Sequence, residues 1–435
     1  MPGQPPGPGV RMPRAVISRA VILSLIGMLL AATGYWYFFM RQAALAPIKV
    51  GILHSRSGPM AISESSMVDG EMLAIEEINA KGGLLGHRIE AVIADGKSDP
   101  TTFANEAERL ITQDKVAVIF GCWTSASRKT VKTVIEKHNQ LLVYPMAYEG
   151  IEQSPNIIYT GAAPNQLVIP AADWSLQQLG TRIFLLGSDY VWPHAINAMM
   201  RDAIVAAKGE VVGEEYVFFG SSDVTHAIEQ IKKAKPEVIL SSVVGDSNIA
   251  LYKALSEAGL APEMLPVVSF SIGEEELRTL PIDEVAGHYS AWSYFQSMQT
   301  PENEAFVRKF RARYGAERVT SDVIEASYFS VMLWAKAVTE AGTFDVGRVR
   351  KSMSGQSLRT PEGLVSIDTS TQHAWRSFSI GRVRNDRQFE VIWNSSKPIR
   401  PTPYPLSRSR SEWDAFLADL YTKWGGSWSN PVKAN

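Results

Sequence analysis

The side chains that usually carry catalysis do not assemble into a catalytic set in this chain. Gly96-Lys97-Ser98 matches the end of a nucleotide-binding loop, but Ala91 stands where that loop needs its first glycine. Lys81-Gly82-Gly83-Leu84-Leu85-Gly86 lacks the first glycine of a dinucleotide fingerprint, so both stretches read as turns. The seven histidines include no pair at ligand spacing, and no HExxH, CxxC or GxSxG pattern occurs. No metal, no cofactor and no serine nucleophile is therefore indicated. Cys122, the single cysteine, reads as a packing residue. What recurs instead are hydrogen-bonding and aromatic residues just after short β-branched runs. They are Ser55 and Ser57, then Trp123, Thr124 and Ser125, then Tyr144, Tyr148 and Glu149. The second half adds Ser188-Asp189-Tyr190 and Gly245-Asp246-Ser247. Hydroxyls and carboxylates beside flat rings hold a small polar molecule without transforming it. The chain reads as a binder and not as an enzyme.

Such residues act together only if strand ends converge on one crevice, which is where open α/β sheets bind ligands. From Ile48 onward, short apolar runs alternate with amphipathic helical stretches, the pattern of a parallel sheet flanked by helices. Strands are expected at Ile48–Leu53, Ile89–Ala94, Ala117–Phe120, Leu141–Tyr144, Arg182–Gly187, Val211–Val217, Val238–Ser242, Leu265–Ser269 and Gly287–Trp292. Glu149 to Pro170, rich in Gly and Pro, reads as a crossing between lobes. Three helical stretches between Glu302 and Ser354 return to the first lobe, and Val365–Ile367, Ser377–Val383 and Phe389–Trp393 resume strand character. The fold class is thus α/β, with two doubly wound lobes joined by a multi-strand hinge. Residues 47–163 and 293–360 are assigned to lobe 1, and 164–292 and 361–396 to lobe 2. Residues 397–435 form an extended tail and an amphipathic helix with Trp413, Phe416, Leu417, Leu420, Tyr421 and Trp424 on one face, expected to pack on its own lobe.

A chain of 435 residues is long enough for two such lobes. Its 43 Lys+Arg against 45 Asp+Glu leave a net charge of −2, which provides no field for nucleic acid. Residues 1–46 differ in kind: Arg11, Arg14 and Arg19 precede an uncharged run from Ala20 to Met40, about the length of a spanning helix. Positive charge ahead of an apolar run keeps the N-terminus inside and sends the downstream chain to the outside. The body is expected to be periplasmic or otherwise extracytoplasmic, held at the inner membrane by an uncleaved N-terminal transmembrane helix. A cleaved signal peptide is the alternative, since Ala44-Leu45-Ala46 has the small-x-small pattern, although Pro47 comes directly after it.

A series of motifs in one order then makes the chain recognisable: GILHSRSGPMAISE, GCWTSASRK, YPMAYEG, SPNIIYTGAAPNQ, GSDYVWP, GDSN, SFSIGEEELR, AGHYSAWSYFQS and SSKPIRPTPY, spanning roughly 48 to 404. The chain resembles the substrate-binding proteins of urea ABC transporters and, more distantly, short-chain amide receptors of the type I periplasmic-binding-protein family. The resemblance implies a hinged protein that delivers urea or a short-chain amide to ABC transporter permease subunits. It also implies ligand contacts from Trp123, Thr124, Ser125, Tyr144, Met146, Tyr148, Glu149, Tyr190 and Asp246, with Ser55 contributing from the first loop. Arg56 and Pro59 depart from the family pattern, which has an apolar residue and a threonine there. Two further readings stand beside it: an anchored sensor signalling to a separate kinase, and a binder of an amino acid whose ammonium group pairs with Asp246.

Overall fold

The computed structural model describes residues 3–9, 14–42 and 45–431, with side chains of the first helix described over 21–36 only. Five parallel strands form the first sheet, in the order β2-β1-β3-β4-β5: β1 Ile48–His54, β2 Ile89–Asp95, β3 Ile119–Gly121, β4 Leu142–Tyr144 and β5 Ile157–Tyr159. The second sheet has seven, in the order β15-β14-β10-β9-β8-β6-β7. Its strands β6 Arg182–Ser188, β7 Glu210–Val217, β8 Val238–Ser242, β9 Val267–Ser269 and β10 Tyr289–Trp292 run parallel. A small third sheet, β11 Ser357–Thr360, β12 Gly363–Ile367 and β13 Ala374–Trp375, is antiparallel. The chain then adds β14 Ser379–Val383 and β15 Phe389–Asn394 antiparallel to the edge of the second sheet.

The helices, in chain order, are α1 Arg14–Gln42, α2 Ala61–Ala80, α3 Pro100–Thr112, α4 Ser125–Lys137, α5 Val168–Gln178, α6 Val191–Ala206, α7 Thr225–Ala234 and α8 Ser247–Glu257. They continue with α9 Glu274–Leu277, α10 Ile282–Val285, α11 Pro301–Tyr314, α12 Asp322–Ala341, α13 Val346–Met353 and α14 Arg410–Lys423. Several start where a capping residue precedes the apolar stripe. Asp99 accepts from the Thr102 amide at 2.7 Å ahead of Pro100, and Thr300 accepts from the Asn303 amide at 3.1 Å ahead of Pro301. Alternation along each strand sends one face to each layer. Val50, Ile52, Val143 and Ile158 pack with Phe329, Leu333 and Trp334 of α12, while Leu53, Leu142, Ile157 and Tyr159 face the other way.

The structure departs from the expectations in three places. Glu149–Pro170 holds the expected crossing but also β5, and Pro170 sits in the first turn of α5, where its missing N–H is not needed. Residues 357–375 do not divide between lobes at 360. They form the third sheet, turned at Gly363 (φ +125), and its Val365, Ile367 and Ala374 join the first lobe's core. At the N-terminus, α1 exposes Leu23, Leu29 and Leu30 by about two thirds each. Among the described residues no helix is long and apolar enough to cross a membrane; the ends of the expected anchor fall outside the described side chains.

The chain crosses between the sheets three times: after β5, after β10 and after β13. Arg376, fully buried, ties the three crossings together. Its guanidinium donates to the Thr160 carbonyl at 2.9 Å in the first, to Glu362 at 2.7 Å and to Asp322 at 3.1 Å. Asp322 in turn accepts the amides of Ser293 and Tyr294, both at 3.0 Å, in the second crossing. Burial pushes the Asp322, Glu325 and Glu362 carboxyls up, against the pull of Arg376. Replacing Arg376 by Met strands these acids without a counter-charge, and a loss of about 3–5 kcal/mol is expected. Guanidinium chloride unfolding measures it. The deficit should shrink as pH falls and the carboxyls take up protons.

Candidate functional site

Where β3 ends, Cys122, Trp123 and Thr124 lead into α4. Thr124, not Ser125, caps that helix, accepting from the Ser127 amide at 3.1 Å. Ser125 donates to Glu149 and accepts from Arg128 at 2.9 Å. Arg128 is wholly buried and also bonds Glu149 at 2.8 Å and Glu152 at 3.0 Å. Lys129 reaches the same two acids at 3.3 and 3.1 Å. Burial alone would raise the Glu152 carboxyl, but the two cations hold it far below the usual range. Rings enclose the network: Arg128 lies 4.9 Å from the centre of Tyr144 and 4.4 Å from that of Tyr148. Tyr148 stacks on Tyr159 at 4.9 Å and bonds His373.

Most of the predicted contacts are therefore gathered in one place, but several are already spent. Ser125, Tyr148 and Glu149 are committed to partners inside the first lobe. The Tyr144 hydroxyl donates to the Trp123 carbonyl at 2.6 Å, which fixes Trp123, and Met146 is buried beside them. Tyr190 enters from the second lobe, buried, its hydroxyl near Tyr144, Glu149 and Arg128; burial first, then Tyr144, raises its pKa well above normal. Ser55 serves the loop after β1, its amide on Glu64 at 2.6 Å and its hydroxyl accepting from the Ser98 amide. Asp246 does not enter the crevice. It is exposed at the rim, where its amide meets the Pro59 carbonyl at 3.3 Å, because it stands one residue before α8 with no cap bond to draw it in.

The opening between the lobes lies beside Trp123. A narrow cavity of about 10 Å³, room for roughly one water, is lined by Trp123 and Val323, by Ser271, Gly273, Glu276 and Trp292 of the second lobe, and by Ser321 and Asp322. Two buried polar atoms on its wall, Trp123 Nε1 and Ser321 Oγ, have no partner, a condition that normally costs about 1–3 kcal/mol each. Glu276 accepts the Gly273 amide at 2.9 Å, and burial pushes its carboxyl up to about 6. Trp292 is held by its indole N–H on the Ile272 carbonyl at 2.8 Å. Gly273 keeps the space open: a Cβ there would sit 3.3 Å from Glu276 Oε2. The wall thus offers a donor on one side and a carboxylate on the other, between two indoles. A broader surface depression of about 600 Å³, around Met298 and Phe389, is lined by none of the predicted contacts.

Sequence reasoning missed Ser271, Gly273, Glu276, Trp292, Ser321 and Asp322. The signal was present, since Ser271 and Gly273 follow β9 and Trp292 ends β10, the same strand-end rule that selected Trp123 and Tyr190. Among the described residues no group of three or more His, Cys, Asp or Glu is placed to hold a metal ion.

Comparison with known proteins agrees with this architecture. The model of the periplasmic binding protein domain matches residues 48–410. The leucine-, isoleucine-, valine-, threonine-, and alanine-binding protein of Pseudomonas aeruginosa is 22% identical over 347 residues, covering 79% of this chain and 91% of that protein. A shorter stretch of 118 residues is 34% identical to limonene hydroxylase of Geobacillus stearothermophilus; the chain spans only 22% of that relative's length. A solved solute-binding protein of an ABC transporter from Rhodopseudomonas palustris, in complex with 3,4-dihydroxybenzoic acid, superposes with a TM-score of 0.74 at 21% identity, over 82% of this chain and 99% of that one. The matched residues contain both sheets, the three crossings and the cavity between them, and the chain belongs to the periplasmic binding protein family.

Proposed function

We propose that this protein is an extracytoplasmic receptor that captures urea or a short-chain amide between its lobes and delivers it to an ABC importer. The observation that carries the reading is the pairing of an unsatisfied, buried Trp123 Nε1 with the Glu276 carboxylate across a small cavity. A planar amide presents one carbonyl acceptor to the indole N–H and N–H donors to the carboxylate. Its flat face suits the two indoles. With the lobes as they stand the cavity, about 10 Å³, holds roughly one water, so a ligand of a few heavy atoms enters only as the lobes part. The cavity's carboxylates would also repel a ligand carboxylate unless an ammonium group accompanied it. That last condition favours an amino acid as the second reading, as does the name of the Pseudomonas relative.

Titration of the purified full-length protein with urea, acetamide, isoleucine and 4-hydroxybenzoate separates these readings. Saturable heat with urea or acetamide is expected; heat with isoleucine alone would transfer the assignment to amino acids. Trp123→Phe keeps the ring and deletes the donor, so urea affinity should fall by about 1–3 kcal/mol while folding stability holds or rises.

The titration of Glu276 adds a pH test. The ionised carboxylate accepts ligand N–H groups and the protonated one does so poorly, so protons compete with ligand. Affinity should be constant above pH of about 6 and fall by up to roughly tenfold per unit below it. Glu276→Gln should abolish that dependence.

The uncharged run from Ala20 to Met40 is the basis for proposing α1 as an anchor to the inner membrane, although among the described residues no helix is long and apolar enough to cross one. Expressed whole, the protein should sediment with membranes and resist high-salt extraction. Release by salt would remove the anchor.

A further inference from the structure

The family match ends at residue 410, yet the chain goes on to build α14 and a tail, and both are tightly attached. The helix lies on α6 of the second lobe. Trp413 is fully buried and donates to the Pro405 carbonyl at 3.0 Å, and Arg408 forms a two-pronged pair with Asp202 at 2.8 and 2.9 Å. Trp424, buried, meets the ring of His194 edge-on at 5.0 Å. Gly425 and Gly426, both at positive φ (+66 and +83), then turn the chain back, a conformation that glycine adopts without strain.

The returning residues run along the segment that carries Tyr190. The Val191 amide donates to the Trp428 carbonyl at 2.9 Å, Ser429 pairs antiparallel with Tyr190, and the Asn430 amide and side chain bond the carbonyl and carboxylate of Asp189 at 3.1 and 2.6 Å. Trp428 packs on Tyr421 at 4.5 Å. It also reaches across the crevice: Lys129 Nζ, on α4 of the first lobe, lies 4.9 Å from the Trp428 ring centre. Lys129 is held there by Glu149 and Glu152. Residues 428–430 are thus bonded to one lobe, and Trp428 meets the other through a cation–aromatic contact that exists only while the lobes are together.

We propose that Trp428 is a positioning residue for the binding site: it clasps Lys129 of the first lobe from the second, biases the lobes toward closure beside Tyr190 and slows ligand release. The inference uses the interlobe crevice but not the identity of the ligand, and it rests on the reading above only where urea serves as a probe.

The test uses full-length protein with spin labels at Thr133→Cys on α4 and Lys232→Cys on α7; Cys122 is buried and will not label. Interlobe distances are measured without ligand and with urea, and urea release is timed by rapid dilution. Trp428→Ala and deletion of 427–435 should shift the ligand-free distances toward an open population. They should also speed release by about two- to thirtyfold, the range of one such contact. Trp428→Phe, which keeps an aromatic face, should restore both, whereas Trp428→Leu, which keeps apolar bulk without a π face, should not. Distances in Trp428→Ala identical to those of the parent would overturn the proposal. Should urea fail to bind the parent, the amide reading falls, and the ligand-free distances still decide the clasp. Melting temperatures within a degree or two of the parent confirm that the comparison is between folded proteins; if Trp428→Ala unfolds, the deletion variant decides.

Discussion

A guanidinium with no access to water sits where the chain passes three times between its two sheets, and the working of the molecule depends on it. Arg376 binds the first crossing through Thr160, its own strand connection through Glu362, and the second crossing through Asp322. A buried charge is stable only with nearly complete hydrogen bonding, and removing one partner costs far more than the pair contributes. The three crossings are therefore held in one mutual arrangement. Motion is left to the lobes that they join, which is how a hinge of several strands permits closure without unfolding.

The second dependence runs from the hinge to the cavity. Asp322, which meets Arg376, also starts α12 and lines the cavity with Ser321 and Val323. The same carboxylate thus reports on hinge and ligand site. Around it Glu276 and Glu274 are buried with few cations nearby, and burial raises both, to about 6 and about 8. By contrast, the Arg128 cluster is close to electrically balanced, with Arg128 and Lys129 against Glu149 and Glu152. One cluster is satisfied within the protein and builds a rigid wall. The other keeps unpaired polar atoms facing a space, and that difference separates a scaffold from a recognition surface.

Much of the fold was legible because β-branched runs and helical stripes alternate plainly from Ile48 to Trp292. What escaped has physical causes. The strand β5 is only three residues long and hides among Gly and Pro, and α5 carries Pro170 as its third residue, which helices accept in their first turn. Strand ends bring Trp123, Tyr144 and Tyr190 into one neighbourhood. They could not reveal which polar groups were already bonded. Arg128 lies three residues after Ser125, on the same helical face, and its pairing with Glu149 removed two expected ligand contacts at once. Asp246 is exposed, because a residue just before a helix can face outward as readily as inward. Ser271 and Trp292 were overlooked although they obey the strand-end rule, whereas Glu276 lies within α9, where that rule does not reach.

The central claim is that Trp123 presents a free indole N–H to a ligand carbonyl in a closed crevice. Tryptophan side-chain resonances in nitrogen-15-labelled protein, with Trp123 assigned through its Phe variant, test it directly. Addition of urea should move the Trp123 indole proton downfield and slow its exchange with water. An unmoved Trp123 signal, at urea concentrations that saturate the calorimetric response, would contradict the account.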